Sequence, residues 1–238
     1  MALILNIETS TTVCSVCISK DGKVLNFRES SDEKSHAKML TVFIDELVKE
    51  QNVSFNDFDA IAVSMGPGSY TGLRIGVSTA KGLCYAKDLP LIAVNTLQSM
   101  AKGVIQKVEN GELEIEGFEK SILVPMIDAR RMEVYSSFFD SKGKTIRDIK
   151  AEIIDKESFK EELEKQQMIF FGDGSEKIIQ TVIHKNALFI KDINTSSLPM
   201  TSLSEDAFVK SNFKDVAYFE PLYLKDFVAT VSKKNIFK

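Results

Sequence analysis

The 238-residue chain has little cysteine and little histidine, no excess of positive charge, and no apolar run near the ~18 residues of a membrane span. Its three cysteines, Cys14, Cys17 and Cys84, are an odd number that fits a reducing compartment. Cys14-Ser-Val-Cys17 has the form of a redox pair or half a zinc site, yet no second pair exists, and His36 and His184 are remote in sequence. Residues three apart on a strand point to opposite faces, so these thiols are expected to be buried in a sheet. The opening MALILNIETS shows no basic leader or cleavage-like site, and a cytoplasmic protein without membrane contact is expected. With 30 basic and 34 acidic side chains the net charge is −4. Only Lys233, Lys234 and Lys238 form a small basic tail, so any RNA is expected to be held mainly by another protein. Neither a P-loop pattern nor a dinucleotide fingerprint is present.

What remains is an ordinary globular composition, 44% hydrophobic and 27% charged, which rules out wholesale disorder. Its length suits two modest lobes. Residues 3–8, 13–18 and 24–27 read as three antiparallel strands, followed by a helix to about Gln51 capped by Ser31 or Asp32. A strand at 59–65, a helix to about Lys87, a strand at 89–94 and a helix capped by Asn95 or Thr96 complete a mixed sheet with helices on it. An acidic connector at 112–119 leads to strands at 122–127, 133–139 and 146–154 and a polar-faced helix at 157–166. A strand at 168–171 then enters Gly172-Asp-Gly174, with Ser175 capping a helix to about Ile183. Another helix begins near Ser202, and 218–224 reads as extended. No internal repeat is evident. The lobes are placed at 1–110 and 111–238, with the last residues returning to the first.

Two helices carry more apolar surface than one sheet can cover. In the first, Met39, Leu40, Phe43, Leu47 and their neighbours span an arc of roughly 240°, against the ~100° one core face needs. In the second, Gly72, Gly76 and Ala80 recur every four residues and form a row nearly free of side chain, which permits close helix approach. These residues, with His36 at the helix start, are expected to form a subunit interface.

Two loops have the make-up of phosphate-binding turns: Glu8-Thr9-Ser10 after the first strand, and Gly66-Pro67-Gly68-Ser69 at a helix start, where free amides and the helix dipole favour an anion. Any tight strand-to-helix turn needs the same residues.

Together, IETSTTVCSVCIS, SHAKML at 35–40, SMGPGSYTGLRIGVSTAKGL, MIDARRMEVYSSFF, FFGDGS and EPLYLK resemble the TsaB (YeaZ) family over nearly the whole chain. The resemblance implies a two-lobed α/β protein of the actin-like, sugar-kinase-like ATPase (ASKHA) superfold, its mixed sheets flanked by helices and its second lobe reduced. It implies a non-catalytic paralogue of TsaD, the subunit that installs threonylcarbamoyl on adenosine of tRNA. The partners implied are a TsaD-like catalytic subunit and a TsaE-like ATPase in the same complex, a second copy of this chain when alone, and tRNA contacted mainly through the complex.

TsaD-type relatives carry a His-x-x-x-His pair for a metal; here His36 is followed by Leu40, which has no lone pair to give, so no metal is expected. The second lobe's counterpart loop, Asp128-Ala129-Arg130, lacks the glycine that would bring amides close to a phosphate; Asp128 and Arg130 are expected to form a carboxylate–guanidinium pair bracing the turn. The two loops of the first lobe then read as vestigial, with no cofactor beyond weak or shared nucleotide binding. An actin-like-fold ATPase and a glycoprotease-type metallopeptidase are the alternatives.

Overall fold

The computed structural model describes residues 2–31 and 36–225, so the Asp32 cap and the basic tail lie outside the described residues. The first sheet is built from β1 (Leu3–Glu8), β2 (Cys14–Lys20), β3 (Lys23–Ser30), β4 (Ala60–Gly66) and β5 (Leu91–Asn95) in the order β3-β2-β1-β4-β5. The hairpin pairs β1-β2 and β2-β3 are antiparallel, while β1-β4 and β4-β5 are parallel. Parallel neighbours need crossovers, supplied by α1 (His36–Glu50) and α2 (Tyr70–Lys87). Asn95 caps α3 (Thr96–Glu109), its side chain accepting from the Gln98 amide at 3.1 Å.

The second sheet repeats this plan. β6 (Ile122–Asp128), β7 (Glu133–Phe139), β8 (Thr145–Ile153), β9 (Met168–Phe171) and β10 (Ala187–Phe189) lie in the order β8-β7-β6-β9-β10, again with an antiparallel hairpin side and a parallel side. The helices α4 (Lys160–Lys165), α5 (Asp173–Glu176) and α6 (Met200–Val209) follow the same strands as α1, α2 and α3. The expectation of no repeat is thus corrected: the order of elements is duplicated. At the sequence level the repeat is reduced to Gly66-Pro-Gly-Ser69 against Gly172-Asp-Gly-Ser175, too short to stand out.

The helix after each sheet's last strand covers the opposite sheet. From α3, Leu97, Met100, Val104 and Ile105 pack with Leu123, Ile127, Phe139 and Phe171 of the second sheet. From α6, Met200, Leu203 and Phe208 pack with Ile4, Ala62 and Ile92 of the first. The other face of the first sheet carries α1 and α2.

Several elements differ from expectation. α4 starts at Lys160 because Phe159, at φ 63°, turns its ring inward beside Phe138 and Phe170. α5 is one turn long and Ser175 lies inside it; beyond Glu176 the amides of Ile178 and Thr181 bond three residues back, so turns rather than a helix bury Ile178 and Val182. Residues 218–224 form no strand: a turn closes from the Phe219 amide to the Asp215 carbonyl, and irregular chain follows. The three-residue β10 carries too little pattern to be foreseen.

All three thiols are free and buried, and burial pushes them up, to about 11 for Cys14 and about 12 for Cys17 and Cys84. Such thiols are protonated at neutral pH and chemically inert.

Most of the residues expected at the interface lie inside the chain. Of its eight residues, His36, Leu40, Phe43, Leu47, Gly72, Gly76 and Ala80 are buried within the chain, and only Met39 remains half-exposed. Most of the wide apolar arc of α1 is covered by β2 on one side and α2 on the other, leaving Val42 and part of Met39 outside. The glycine row of α2 does not face a helix. A Cβ on Gly72 would stand 2.1 Å from the Thr9 carbonyl oxygen, and one on Gly76 would stand 2.2 Å from Thr9 Oγ1. What approaches is the loop after β1.

Candidate functional site

That loop is held on every side by its own chain. The Thr9 hydroxyl donates to the Gly72 carbonyl at 2.8 Å, and the Ser69 amide donates to the Ser10 carbonyl at 2.6 Å. Gly68 lies so close that a Cβ there would be 2.1 Å from the Ser10 oxygen. On the other flank Thr195 and Thr11 share a hydrogen bond at 2.6 Å, and the Ser197 amide donates to the Ser15 hydroxyl at 3.0 Å. Glu8, Thr9 and Ser10 are 0% exposed in consequence. The two loops read as phosphate-binding are brought together, but they face each other. The Ser69 hydroxyl is spent as the α2 cap, accepting from the Gly72 amide.

Glu8 accepts the Ser10 amide at 2.6 Å through one oxygen, while its Oε2 and the Ser10 hydroxyl find no hydrogen-bond partner. Burial raises the Glu8 carboxyl above its ordinary value, opposed by hydrogen bonds from its surroundings. The folded state therefore binds the proton more tightly than the unfolded chain, so this group's contribution to stability is full below the unfolded value and is lost as pH rises through the folded one. Glu8→Gln is expected to raise the urea midpoint at neutral pH and to remove this downward step. A matched series of unfolding curves across the acid-to-neutral range checks it; an unchanged slope would refute it.

The second lobe's loops repeat the geometry. Gly172, at φ 94°, and Gly174 lie against the β6 backbone, where Cβ atoms would be 2.2 Å from the Met126 oxygen and 2.8 Å from the Ile127 carbonyl carbon. Asp173 accepts the Asp128 amide at 3.0 Å, and its carboxyl is pushed up by burial and, to a smaller extent, by neighbouring Asp128. The expected Asp128–Arg130 ion pair is corrected: the Asp128 carboxylate binds Lys177 Nζ at 2.6 Å, and Arg130 offers only its amide, also at 2.6 Å. Arg130 and Arg131 stand at φ 72° and 54°, so the loop adopts left-handed backbone without glycine. Asp128 instead takes Lys177, the residue that ends α5.

A segment near the end of the described chain bridges the two lobes. The Leu222 amide donates to the Met65 carbonyl at 2.7 Å, and Lys225 reaches the Ala129 carbonyl at 3.2 Å and the Glu133 carboxylate. Tyr223 lies between, its ring 5.1 Å from Tyr70 and its hydroxyl accepting from Arg74 Nε at 3.3 Å. Thr195, Ser197, Lys177, Tyr223 and Lys225 were not foreseen as site residues: EPLYLK, which holds Tyr223 and Lys225, stands out only as a segment of resemblance, and nothing local gives any of the five its partner. Among the described residues no group of three His, Cys, Asp or Glu side chains could hold a metal ion, and no helix is long and apolar enough to cross a membrane.

Duplicated five-stranded mixed sheets, with turns facing each other at corresponding strand ends, define a two-lobed protein of the actin-like, sugar-kinase-like class. A family model described as TsaD, tRNA N6-adenosine threonylcarbamoyltransferase, matches residues 28–233. The TsaB protein of Haemophilus influenzae, named for tRNA threonylcarbamoyladenosine biosynthesis, is 35% identical over 136 residues, 56% of this chain and 52% of that protein. Its counterpart in Buchnera aphidicola is 28% identical over 201 residues, 80% of this chain and 86% of that one. The solved structure of YeaZ from Pseudomonas aeruginosa superposes with a TM-score of 0.76 at 23% identity, covering 94% of this chain and 100% of its own. The chain belongs to this TsaD-related family, in its TsaB (YeaZ) branch. Its match spans about half the length of the Haemophilus relative.

Proposed function

We propose that this chain is a non-catalytic subunit that binds a TsaD-like protein and supports formation of threonylcarbamoyladenosine in tRNA. The observation that carries this reading is the closed loop after β1: Glu8, Thr9 and Ser10 are wholly buried, Thr9 is tied to Gly72 and Ser10 to Ser69, and the next residue, Thr11, is tied to Thr195. A nucleotide phosphate needs open amides at such a turn, and those of Thr9 and Ser10 are taken by the Ser64 hydroxyl and the Glu8 carboxylate. That closure speaks against an ATPase of this fold. A metallopeptidase lacks its second imidazole, since Leu40 fills that position in the core. The process in this reading is supported by relatives named for tRNA threonylcarbamoyladenosine biosynthesis, and the likeness to tRNA N6-adenosine threonylcarbamoyltransferases supports a TsaD-like partner. A TsaE-like ATPase in the same complex, a homodimer when the chain is alone, and a cytoplasmic location belong to the same reading.

The test is reconstitution with the TsaD-like protein of the same cell. Modification of tRNA is expected to require this chain, to proceed undiminished with Glu8→Gln, and to be absent with this chain alone. Loss of modification on Glu8→Gln, in a protein that still folds and still binds its partner, would assign this chain a catalytic role and end the proposal.

A further inference from the structure

Among the described residues eight non-glycine residues stand at positive φ, and five are Asp, Asn or Ser, which tolerate it. Phe159 is held there by the burial of its ring in the core. Arg130 and Arg131 have no such anchor: two consecutive arginines, both in the left-handed region, at the exposed tip between β6 and β7. Arginine gains nothing locally from this backbone, and glycine or asparagine would suit it better. Neither guanidinium makes a hydrogen bond or ion pair with any described residue, although Asp128 and Glu133 lie in the same turn. Those carboxylates are already taken, by Lys177 and by Lys225. The acids are thus neutralised by lysines, and the arginine charges are left outward.

The basic tip adjoins an aromatic surface. Lys225, on the Ala129 carbonyl, follows two residues after Tyr223, which is 37% exposed and has its ring beside Tyr70. Arg74 sits 4.1 Å over the Tyr70 ring, with Glu220 as its acidic neighbour. Cations interleaved with aromatic faces suit a strand of nucleic acid, which offers both phosphates and stackable bases; an acidic protein surface would use the charges alone. The net charge of −4 does not oppose this, because at physiological salt fields fade over ~8 Å and the tip feels its own neighbours.

We infer that the Arg130-Arg131 tip, flanked by Arg74 and Tyr223, is an RNA-backbone contact, strained because binding rather than folding selects its residues. This rests on the proposed reading in taking tRNA as the polyanion. It goes further in giving this chain its own RNA contact at a named place.

The experiment measures anisotropy of a labelled, unmodified tRNA transcript, titrated with this chain alone and with its complex with the TsaD-like protein, over a range of salt. Arg130→Gly with Arg131→Gly is expected to weaken binding about tenfold at low salt and to make the slope of log affinity against log salt shallower by roughly 1 to 2. Its Tm is expected to equal or exceed the parent's, because glycine relieves the left-handed backbone. Arg130→Lys with Arg131→Lys keeps both charges and is expected to keep the slope. Unchanged affinity in the glycine variant, or a lowered Tm, overturns the inference. So does unchanged RNA affinity with loss of the protein partner, which would make the tip a protein contact. Failure of the complex to form with the parent chain counts against the proposed function alone, because the titration of the isolated chain still decides this one.

Discussion

Gly72→Ala is expected to destabilise the protein by about 3 kcal/mol, the upper end of what forced overpacking costs. The new methyl carbon would be placed 2.1 Å from the Thr9 carbonyl oxygen. That oxygen is backbone, and Thr9 cannot withdraw: its hydroxyl holds the Gly72 carbonyl, its amide faces the Ser64 hydroxyl, and its neighbour Ser10 is bonded to Ser69. Relief requires moving either α2 or the β1 loop, and both are packed on the same core. Gly82 in the same helix is the control. It is exposed, with nothing within 4 Å of its Cβ position, so Gly82→Ala is expected to gain about 0.5–1 kcal/mol from helix propensity and a stiffer unfolded chain. Urea unfolding of both variants separates the readings; equal effects at the two sites would mean that the close approach at Thr9 does not govern this row.

Val42→Asp combined with Tyr85→Asp is expected to reduce capture of the TsaD-like partner at least a hundredfold while leaving Tm nearly unchanged, as surface changes commonly do and interface anchors do not. Since most of the residues first assigned to the interface are interior, a partner docked on the helix pair meets its outer face. That face presents Val42, 45% exposed, half-buried Met39 and Ile75, and Tyr85, 87% exposed. A carboxylate at each anchor must lose its hydration to be covered, without a cation to meet it. Phe43→Asp or Gly76→Leu would be poor tests, because they damage the monomer before they reach any surface. Size-exclusion co-elution with the partner, read beside thermal unfolding, checks the outcome; full co-elution of the double variant would remove the helix pair from the proposed interface.

Most strands and the first three helices were legible because their signals are local. The short apolar runs at 3–8 and 13–18, the turn at Asp21-Gly22, and Asn95 before an amphipathic run each act over a few residues. The motif GPGSYTGLRIG was legible as unusual in the same way, and it drew attention to the loop that matters. Its purpose was misread. A row of small residues states that something comes close and cannot state what comes; here it is a loop some sixty residues earlier rather than another helix. The wide apolar arc of α1 carried the same ambiguity, since periodicity counts the surface to be covered and leaves the cover unnamed.

The second lobe shows the limit most plainly. Asp128 and Arg130 looked like partners because they are near in sequence, yet Lys177 and Lys225 arrive from distant segments and take the acids. Composition and local pattern were enough to settle a mixed α/β protein with two sheets, inert thiols and an unusual glycine turn, because propensity and capping are properties of neighbouring residues. Which helix covers which sheet, what seals the β1 loop and which cations stay unpaired were decided by packing between segments far apart along the chain. Those choices rest on a balance of burial and pairing that has no value until the whole chain has closed on itself.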